Sequence, residues 1–193
     1  MVRQLLKKDV INMTRIQEVL DKLKSQLDEN STRLNPKGLL DEDDKDILRE
    51  ECIFEEPATE EDVKSLETEL GITIPNDYKE FLLLHNGMTL FSSYLVEYKF
   101  FSLNEIREHF PIVQEGRKEL DLKPNKDYPI GEFPDVGYII MDSKKIKNRS
   151  SEGAIYVNHL SPEQTKESFV SFVQKLIENP GDFFWEDSSL KEY

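Results

Sequence analysis

Two short apolar stripes, separated by a glycine and a proline, are the pattern that most constrains how this chain folds. Val63, Leu66 and Leu70 recur at helical spacing, and Gly71 supplies the left-handed residue that commonly ends a helix. Pro75 suits the first turn of a second helix, which carries the next stripe. The pattern therefore predicts two short helices joined by a tight connection, a helical hairpin.

Both helices of this hairpin have recognisable ends. Thr59 is a good N-cap for the first helix, because its hydroxyl can accept a hydrogen bond from a free backbone N–H. Carboxylates just after Thr59 lie favourably against the positive end of the helix dipole. The second helix has an apolar face that includes His85, which we interpret as a packed or helix-end histidine, and it ends at Asn86-Gly87. The apolar positions of this second stripe are Tyr78, Phe81, Leu82 and His85.

Beyond Gly87 the chain changes to short runs rich in aromatic and β-branched residues, which are typical of strands. A short helix is expected at 103–110, with a helical turn and then a loop over 111–127. Helices, then strands, then a helix predict an α+β fold with an antiparallel or mixed sheet of about 4–6 strands and a C-terminal helix packed on it. That last helix begins near Ser168-Phe169. Strands are expected at 90–95, 98–102, 128–133, 136–142 and 154–159.

The N-terminal region reads as a separate helical extension. Thr14 and Gln17 form a candidate capping box, and an apolar stripe follows at helical spacing. Residues 30–38 are rich in turn formers and predict a loop. We therefore expect three parts: an extension over 1–52 that becomes acidic towards its end, a domain over 53–181 and a tail over 182–193. The stripe consists of Ile16, Val19, Leu20, Leu23 and Leu27.

The charge balance indicates which partners the chain can have. The 193 residues include 39 acidic and 25 basic side chains, for a formal net charge of −14. Such a surface repels phosphate backbones and anionic lipid headgroups, so nucleic acid and membranes are poor partners, while a cationic protein is a good one. Cys52 is the single cysteine, and neither a signal peptide nor a membrane span is apparent. We expect a cytoplasmic, soluble protein.

Acidic residues are concentrated between positions 41 and 62, where 12 carboxylates accompany two basic residues. This run is either a solvated helix face or an anionic surface that binds a cationic site. It fails as an EF-hand counted from Asp41, since position 5 is Lys45, position 6 is Asp46 and position 12 is Cys52. The predicted partner-binding residues are Asp41, Glu42, Asp43, Asp44, Asp46, Glu55, Glu56, Glu60 and Glu61.

The sequence offers little material for catalysis. His85, His109 and His159 are scattered; His109 is expected at a helix end, and neither the histidines nor Cys52 have the spacing of a zinc site. Glutamates near Cys52 should raise its pKa and reduce its reactivity. Phosphate-binding and hydrolase motifs are missing. We therefore predict a non-enzyme with no cofactor, no metal and no catalytic residue, and keep a hydrolase with an unrecognised site as a remote alternative.

Residues 56–87 resemble the opening of domains of the SUKH superfamily, which includes the yeast cell-wall-synthesis regulator. Looser similarity, through Ile130, Gly131 and Ser168-Phe169, extends over roughly residues 53–180. Met88 departs from the family, in which a second glycine often follows Asn-Gly. The residues that carry the similarity, which we interpret as structural, are Leu70, Gly71, Ile74, Pro75, Tyr78, Phe81, Leu82, Asn86 and Gly87.

This resemblance implies protein binding rather than catalysis. Bacterial members of the superfamily resemble immunity proteins, which neutralise a toxin made by the same cell or its siblings. The leading hypothesis is that the chain occludes a cognate cationic toxin domain, for example a nuclease, whose active site is basic because it holds phosphates. The alternative is a regulatory adaptor with several cellular partners. We expect a monomer or a weak dimer.

Overall fold

The computed structural model describes residues 14–34, 49–93, 97–123, 125–133, 136–157, 163–180 and 184–185. The predicted partner-binding residues Asp41, Glu42, Asp43, Asp44 and Asp46 lie outside this described part, as does His159. Within it, five helices and eight strands are present. The helices are α1 (Arg15–Lys24), α2 (Glu60–Leu70), α3 (Asn76–Leu84), α4 (Leu103–Glu119) and α5 (Phe169–Glu178). The strands are β1 (Thr32–Leu34), β2 (Arg49–Phe54), β3 (Met88–Ser92), β4 (Tyr98–Phe100), β5 (Tyr128–Phe133), β6 (Gly137–Met141), β7 (Ile155–Val157) and β8 (Glu163–Gln164).

The strands form one antiparallel sheet in which they lie in chain order, from β1 at one edge to β8 at the other. This confirms the predicted α+β class. The predicted count of about 4–6 strands was too low, because β1, β2 and the two-residue β8 had not been foreseen. Residues 30–38 were expected to be a loop, yet 32–34 form the edge strand β1.

Strand β2 was missed because one of its inward-facing residues is a glutamate. Glu50 and Cys52 are both 1% exposed, so the strand alternates between buried and exposed positions although its sequence is largely charged. Glu50 is compensated by Arg33, the residue opposite it in β1, with Nε 3.1 Å from its carboxylate. The Arg33 guanidinium also lies 4.0 Å from the centroid of the Phe91 ring. A buried carboxylate needs such a partner, and the strand pairing supplies it.

The predicted helical hairpin is confirmed as α2 and α3. Thr59 and Asp62 form a reciprocal capping box at the start of α2, and Gly71 ends this helix with φ 63° in the left-handed region. The apolar stripes of both helices are buried. Phe169 of the C-terminal helix lies 4.8 Å from the Tyr78 ring and 5.7 Å from the Phe100 ring of β4, measured between centroids. The C-terminal helix α5 thus packs between the hairpin and the sheet, as expected.

Helix α4 is longer than predicted and continues through Pro111 to residue 119. Proline removes one backbone hydrogen bond, but contacts of the second half of the helix offset this loss. Val113 is buried against Ile140 of β6, and Gln114 donates a hydrogen bond to the carbonyl oxygen of Asp127. His109 therefore lies within the helix rather than at its end, which corrects the expectation from the sequence.

Helix α1 contributes to the same hydrophobic core as the rest of the fold. Ile16, Leu20 and Leu23 are buried in the cluster that also holds the hairpin residues, and α1 packs against α3 and α5. Strand β2 runs across residue 52, where the boundary between the extension and the domain was expected. Over the residues described, no helix combines the length and the apolar character that a membrane crossing requires.

Candidate protein-binding surface

The described members of the predicted acidic set lie together around the start of α2. Glu55 and Glu56 follow β2 directly, and Glu60 and Glu61 form the first turn of the helix. All four side chains are exposed. We call these four residues the acidic surface. It spans the short connection that leads from the end of β2 at Phe54, through the capping residue Thr59, into the first turn of α2.

The four carboxylates differ in how they are compensated. Glu60 forms an ion pair with Lys79 of α3. In contrast, no lysine or arginine among the described residues comes within ion-pair distance of the carboxylates of Glu55, Glu56 or Glu61. Three negative charges at this surface are therefore left available to a cationic partner.

Backbone hydrogen bonds from the Asn86-Gly87 turn hold the acidic surface in place. The N–H of Glu55 donates to the carbonyl oxygen of Gly87 at 3.1 Å, and the N–H of Asn86 donates to the carbonyl oxygen of Glu56 at 3.0 Å. The side-chain oxygen of Asn86 also accepts a hydrogen bond from the N–H of Leu103, at the start of α4. The Asn-Gly pair thus fixes the two glutamates relative to α3 and α4.

Gly87 is required at this turn by its conformation and by its surroundings. Its φ is 111°, a value that residues with side chains rarely adopt. A Cβ there would lie 3.0 Å from the backbone nitrogen of Ser102 and 3.2 Å from the carbonyl oxygen of Phe100. The chain segments that support the acidic surface can therefore approach closely only because this residue is glycine.

A surface groove of about 1090 Å³ runs along α2 beside the acidic surface. Helix α2 forms one wall, and Asn76, Lys79 and Arg149 contribute to the other. Arg149 donates hydrogen bonds to Glu67 at 2.7 Å and to the carbonyl oxygen of Ile74 at 3.0 Å. Arg149 thus joins the turn at residues 147–150 to α2, and Glu67 neutralises its charge.

Glu67 lines this groove and forms an ion pair with Arg149. Burial alone would raise its pKa, but hydrogen bonds from Arg149 and from the N–H of Ile74 hold the pKa below its ordinary value. The carboxylate therefore stays ionised beside the guanidinium and fixes the turn at residues 147–150 against α2.

Two side chains that could be reactive, Cys52 and His109, are packed against other residues of the fold. Cys52 is 1% exposed, and burial, more than the neighbouring glutamates Glu50 and Glu51, raises the pKa of its thiol. His109 Nδ1 lies 2.8 Å from the Tyr138 hydroxyl, and its ring packs 4.6 Å from that of Phe101. These groups pack within the fold, and neither is part of the acidic surface.

Sequence similarity to known proteins adds to this geometry. A model of the SMI1 / KNR4 family (SUKH-1) matches residues 57–178, well over half of the chain. The chain belongs to this family. The resemblance noted from residues 56–87 is thereby confirmed. Domains of this SUKH family are in general non-enzymatic and are generally associated with binding a toxin partner.

Two Bacillus subtilis proteins are similar to this SUKH chain. The uncharacterized protein YnaB is 32% identical over 148 residues, which cover 72% of this chain and 91% of YnaB. The uncharacterized protein YobM is 26% identical over 140 residues, which cover 68% of this chain and 72% of YobM. Most of the length of each relative therefore corresponds to this chain.

The family motif and the acidic surface meet at the same place in the structure. Tyr78, Phe81 and Leu82 of the motif are fully buried, whereas Asn86 and Gly87 contact the backbone of the acidic surface. All of these residues were predicted to be structural, and the link of Asn86 and Gly87 to Glu55 and Glu56 was not foreseen. Asn86-Gly87 is a typical turn sequence and could have indicated this contact. The contact was missed because β2, which leads into Glu55 and Glu56, was not predicted.

Proposed function

We propose that this SUKH domain is an immunity protein that neutralises a cognate toxin domain in the cytoplasm by occluding its cationic surface. The observation that carries the proposal is the group of three exposed carboxylates, those of Glu55, Glu56 and Glu61, which make no ion pair within the described chain. The family association with toxin partners supports the same conclusion.

Electrostatics explains how such a surface would act. Carboxylates held in fixed positions attract a basic site from a distance and accelerate the productive encounter, because the potentials of the two surfaces are complementary. A nuclease active site is basic because it binds phosphates, so an anionic protein surface can occupy the place of the nucleic acid. The mechanism is binding alone and requires no bond to be made or broken.

A growth-rescue assay tests this proposal. The toxin domain encoded beside the gene is expressed with and without this chain, and surviving cells are counted. We expect the wild-type chain to restore growth, and the triple variant Glu55→Gln, Glu56→Gln, Glu61→Gln to restore it less well. Glutamine keeps the size and polarity of each side chain and removes only its charge.

A matched control neutralises three other exposed carboxylates elsewhere, with the changes Glu29→Gln, Glu119→Gln and Glu152→Gln. This control should rescue growth as well as the wild type does. Failure of the wild-type chain to rescue, or the lack of a toxin gene nearby, would contradict immunity and favour the regulatory adaptor. Equal rescue by both triple variants would contradict the role of the acidic surface.

A further inference from the structure

A second groove, of about 480 Å³, lies between α1 and α5 and reaches β1. We call it the α1–α5 groove. Val19 of α1, Ile177 of α5 and Pro180 give it apolar surface, and none of the residues that line it belongs to the acidic surface. Its volume is within the range of about 300 to 1,000 Å³ that is typical of small-molecule sites. Because α1 and β1 precede residue 57, one wall of this groove lies outside the family match.

Arg33 lines this groove with a guanidinium group whose hydrogen bonds are incomplete. Its side chain is only 9% exposed. Nε donates to Glu50 at 3.1 Å and Nη1 donates to the side-chain oxygen of Gln26 at 3.3 Å. Nη2 is buried and has no hydrogen-bond partner within the described part of the chain. The Phe91 ring attracts the cation but supplies no acceptor for these N–H groups, so the buried Nη2 is left at a cost in free energy.

The Gln26 side chain can give up its place on Arg33 to a stronger acceptor. Gln26 is exposed and its hydrogen bond to Nη1 is long, so little is lost when the amide turns aside. A carboxylate in the same place would accept from Nη1 and Nη2 together, with one oxygen on each nitrogen. Such paired, charge-assisted hydrogen bonds are roughly twice as strong as neutral ones. The exchange would satisfy Nη2 and leave the bond from Nε to Glu50 intact.

The charged residues that line the groove suit a ligand with a single negative charge. Arg15 and Lys22 of α1 accompany Arg33, and Glu18 and Glu178 oppose them. Lys22 and Glu178 are 3.8 Å apart and both exposed, so this ion pair between α1 and α5 is weak and leaves the groove open to a ligand. The two glutamates repel a multiply charged phosphate more strongly than a single carboxylate.

We propose that the α1–α5 groove binds a small molecule that has one carboxylate and an apolar body. The carboxylate takes the place of the Gln26 amide on Arg33, and the apolar body lies along Val19 and Ile177. The lining follows α1 from Arg15 to Lys22, which is about 10 Å of helix. An extended chain of eight carbons has a similar length, so octanoate is a suitable probe.

Isothermal titration calorimetry of the full chain with octanoate, at about 0.15 M salt, tests this proposal. We expect saturable one-to-one binding with a dissociation constant of about 1 mM or lower. Octan-1-ol has the same apolar chain without the charge, and acetate has the charge without the chain. Each should bind at least about tenfold more weakly than octanoate. A lack of saturation up to about 10 mM octanoate would overturn the proposal, as would octan-1-ol that binds as tightly as octanoate.

The variant Gln26→Glu tests the contact with Arg33. The new carboxylate has the size of the amide and should occupy the guanidinium permanently, so the affinity for octanoate should fall at least about tenfold while thermal melts remain as high as those of the wild type. Gln17→Glu is the matched control: it makes the same change on α1 at a residue that does not line the groove, and it should keep the dissociation constant within about twofold.

This pair of variants avoids Arg33 itself, because Arg33→Gln would leave the Glu50 carboxylate buried without its cation and could unfold the chain. Octanoate affinity that is equal in Gln26→Glu and in the wild type would overturn the proposal. An equal loss of affinity in Gln26→Glu and Gln17→Glu would also overturn it, since the effect would then come from charge on α1 rather than from Arg33.

Discussion

The side-chain ammonium of Lys24 lies 2.7 Å from Nε2 of His85, and this contact joins α1 to the end of α3. The other ring nitrogen, Nδ1, lies 3.0 Å from the carbonyl oxygen of Glu55. Since an ammonium can only donate, Nε2 is the acceptor and Nδ1 carries the proton. The neutral imidazole therefore bridges a cation of α1 and the backbone of the acidic surface.

This geometry makes the stability of the fold depend on pH. Burial and the nearby Lys24 lower the pKa of His85 below its ordinary value of 6.5, although the Glu55 carbonyl, Asp21 and Glu56 oppose the shift. The unfolded chain then binds more protons than the folded chain as the pH falls below 6.5. Through His85, acidification below pH 6.5 therefore lowers the free energy of unfolding. Well above this pH, His85 adds no pH dependence.

Urea unfolding at about pH 7.5 and about pH 5.5 measures this effect. The variant His85→Gln keeps a donor and an acceptor but does not titrate, so it serves as the comparison. We expect the wild type to lose more stability than this variant when the pH falls. An equal loss in the two proteins would show that His85 does not govern the response.

A second prediction concerns the buried rings of the hairpin. Tyr78 and Phe81 are fully buried, so Phe81→Ala or Tyr78→Ala should lower the free energy of unfolding by about 3–5 kcal/mol through lost contacts and the cavity left behind. Tyr78→Phe should cost within about 1 kcal/mol, because the hydrogen bond from its hydroxyl to the Phe101 carbonyl is long, at 3.4 Å. Thermal melts in which both alanine variants match the wild type would refute this packing.

A third prediction concerns Gly131, where β5 lies close to β4. A Cβ at this position would overlap the carbonyl oxygen of Lys99, which belongs to the backbone and cannot easily move. Gly131→Ala should therefore lower the free energy of unfolding by about 3 kcal/mol. Gly153→Ala is the control: its Cβ would meet open space, and its φ of 63° should cost only about 1 kcal/mol. Similar losses in these two variants would contradict the close approach of β4 and β5.

The helices could be predicted because their signals are local. The stripes of α2 and α3, the cap at Thr59 and the left-handed Gly71 all depend on residues within a few positions of one another. Strand β2 depends on a distant partner instead, since Glu50 is buried only because Arg33 of β1 compensates it. The extension of α4 beyond Pro111 likewise depends on β5 and β6, which the local sequence does not reveal.

The candidate surface could be predicted in part for the same reason. A dense run of carboxylates is visible in the sequence, and its members Glu55, Glu56, Glu60 and Glu61 are indeed exposed and adjacent. The sequence could not show that Lys79 compensates Glu60, because this pairing depends on how α3 packs beside α2. The roles of the acidic residues in partner binding stay a prediction.

The association of this chain with the toxin domain encoded beside its gene tests the central claim most directly. Its rate is measured at about 0.05 M and about 0.5 M salt for the wild type and for the Glu55→Gln, Glu56→Gln, Glu61→Gln variant. We predict a one-to-one complex whose association slows with salt, and an association rate about tenfold lower for the variant at low salt. Rates that depend neither on salt nor on these three carboxylates would contradict neutralisation through the acidic surface, and no binding would contradict immunity altogether.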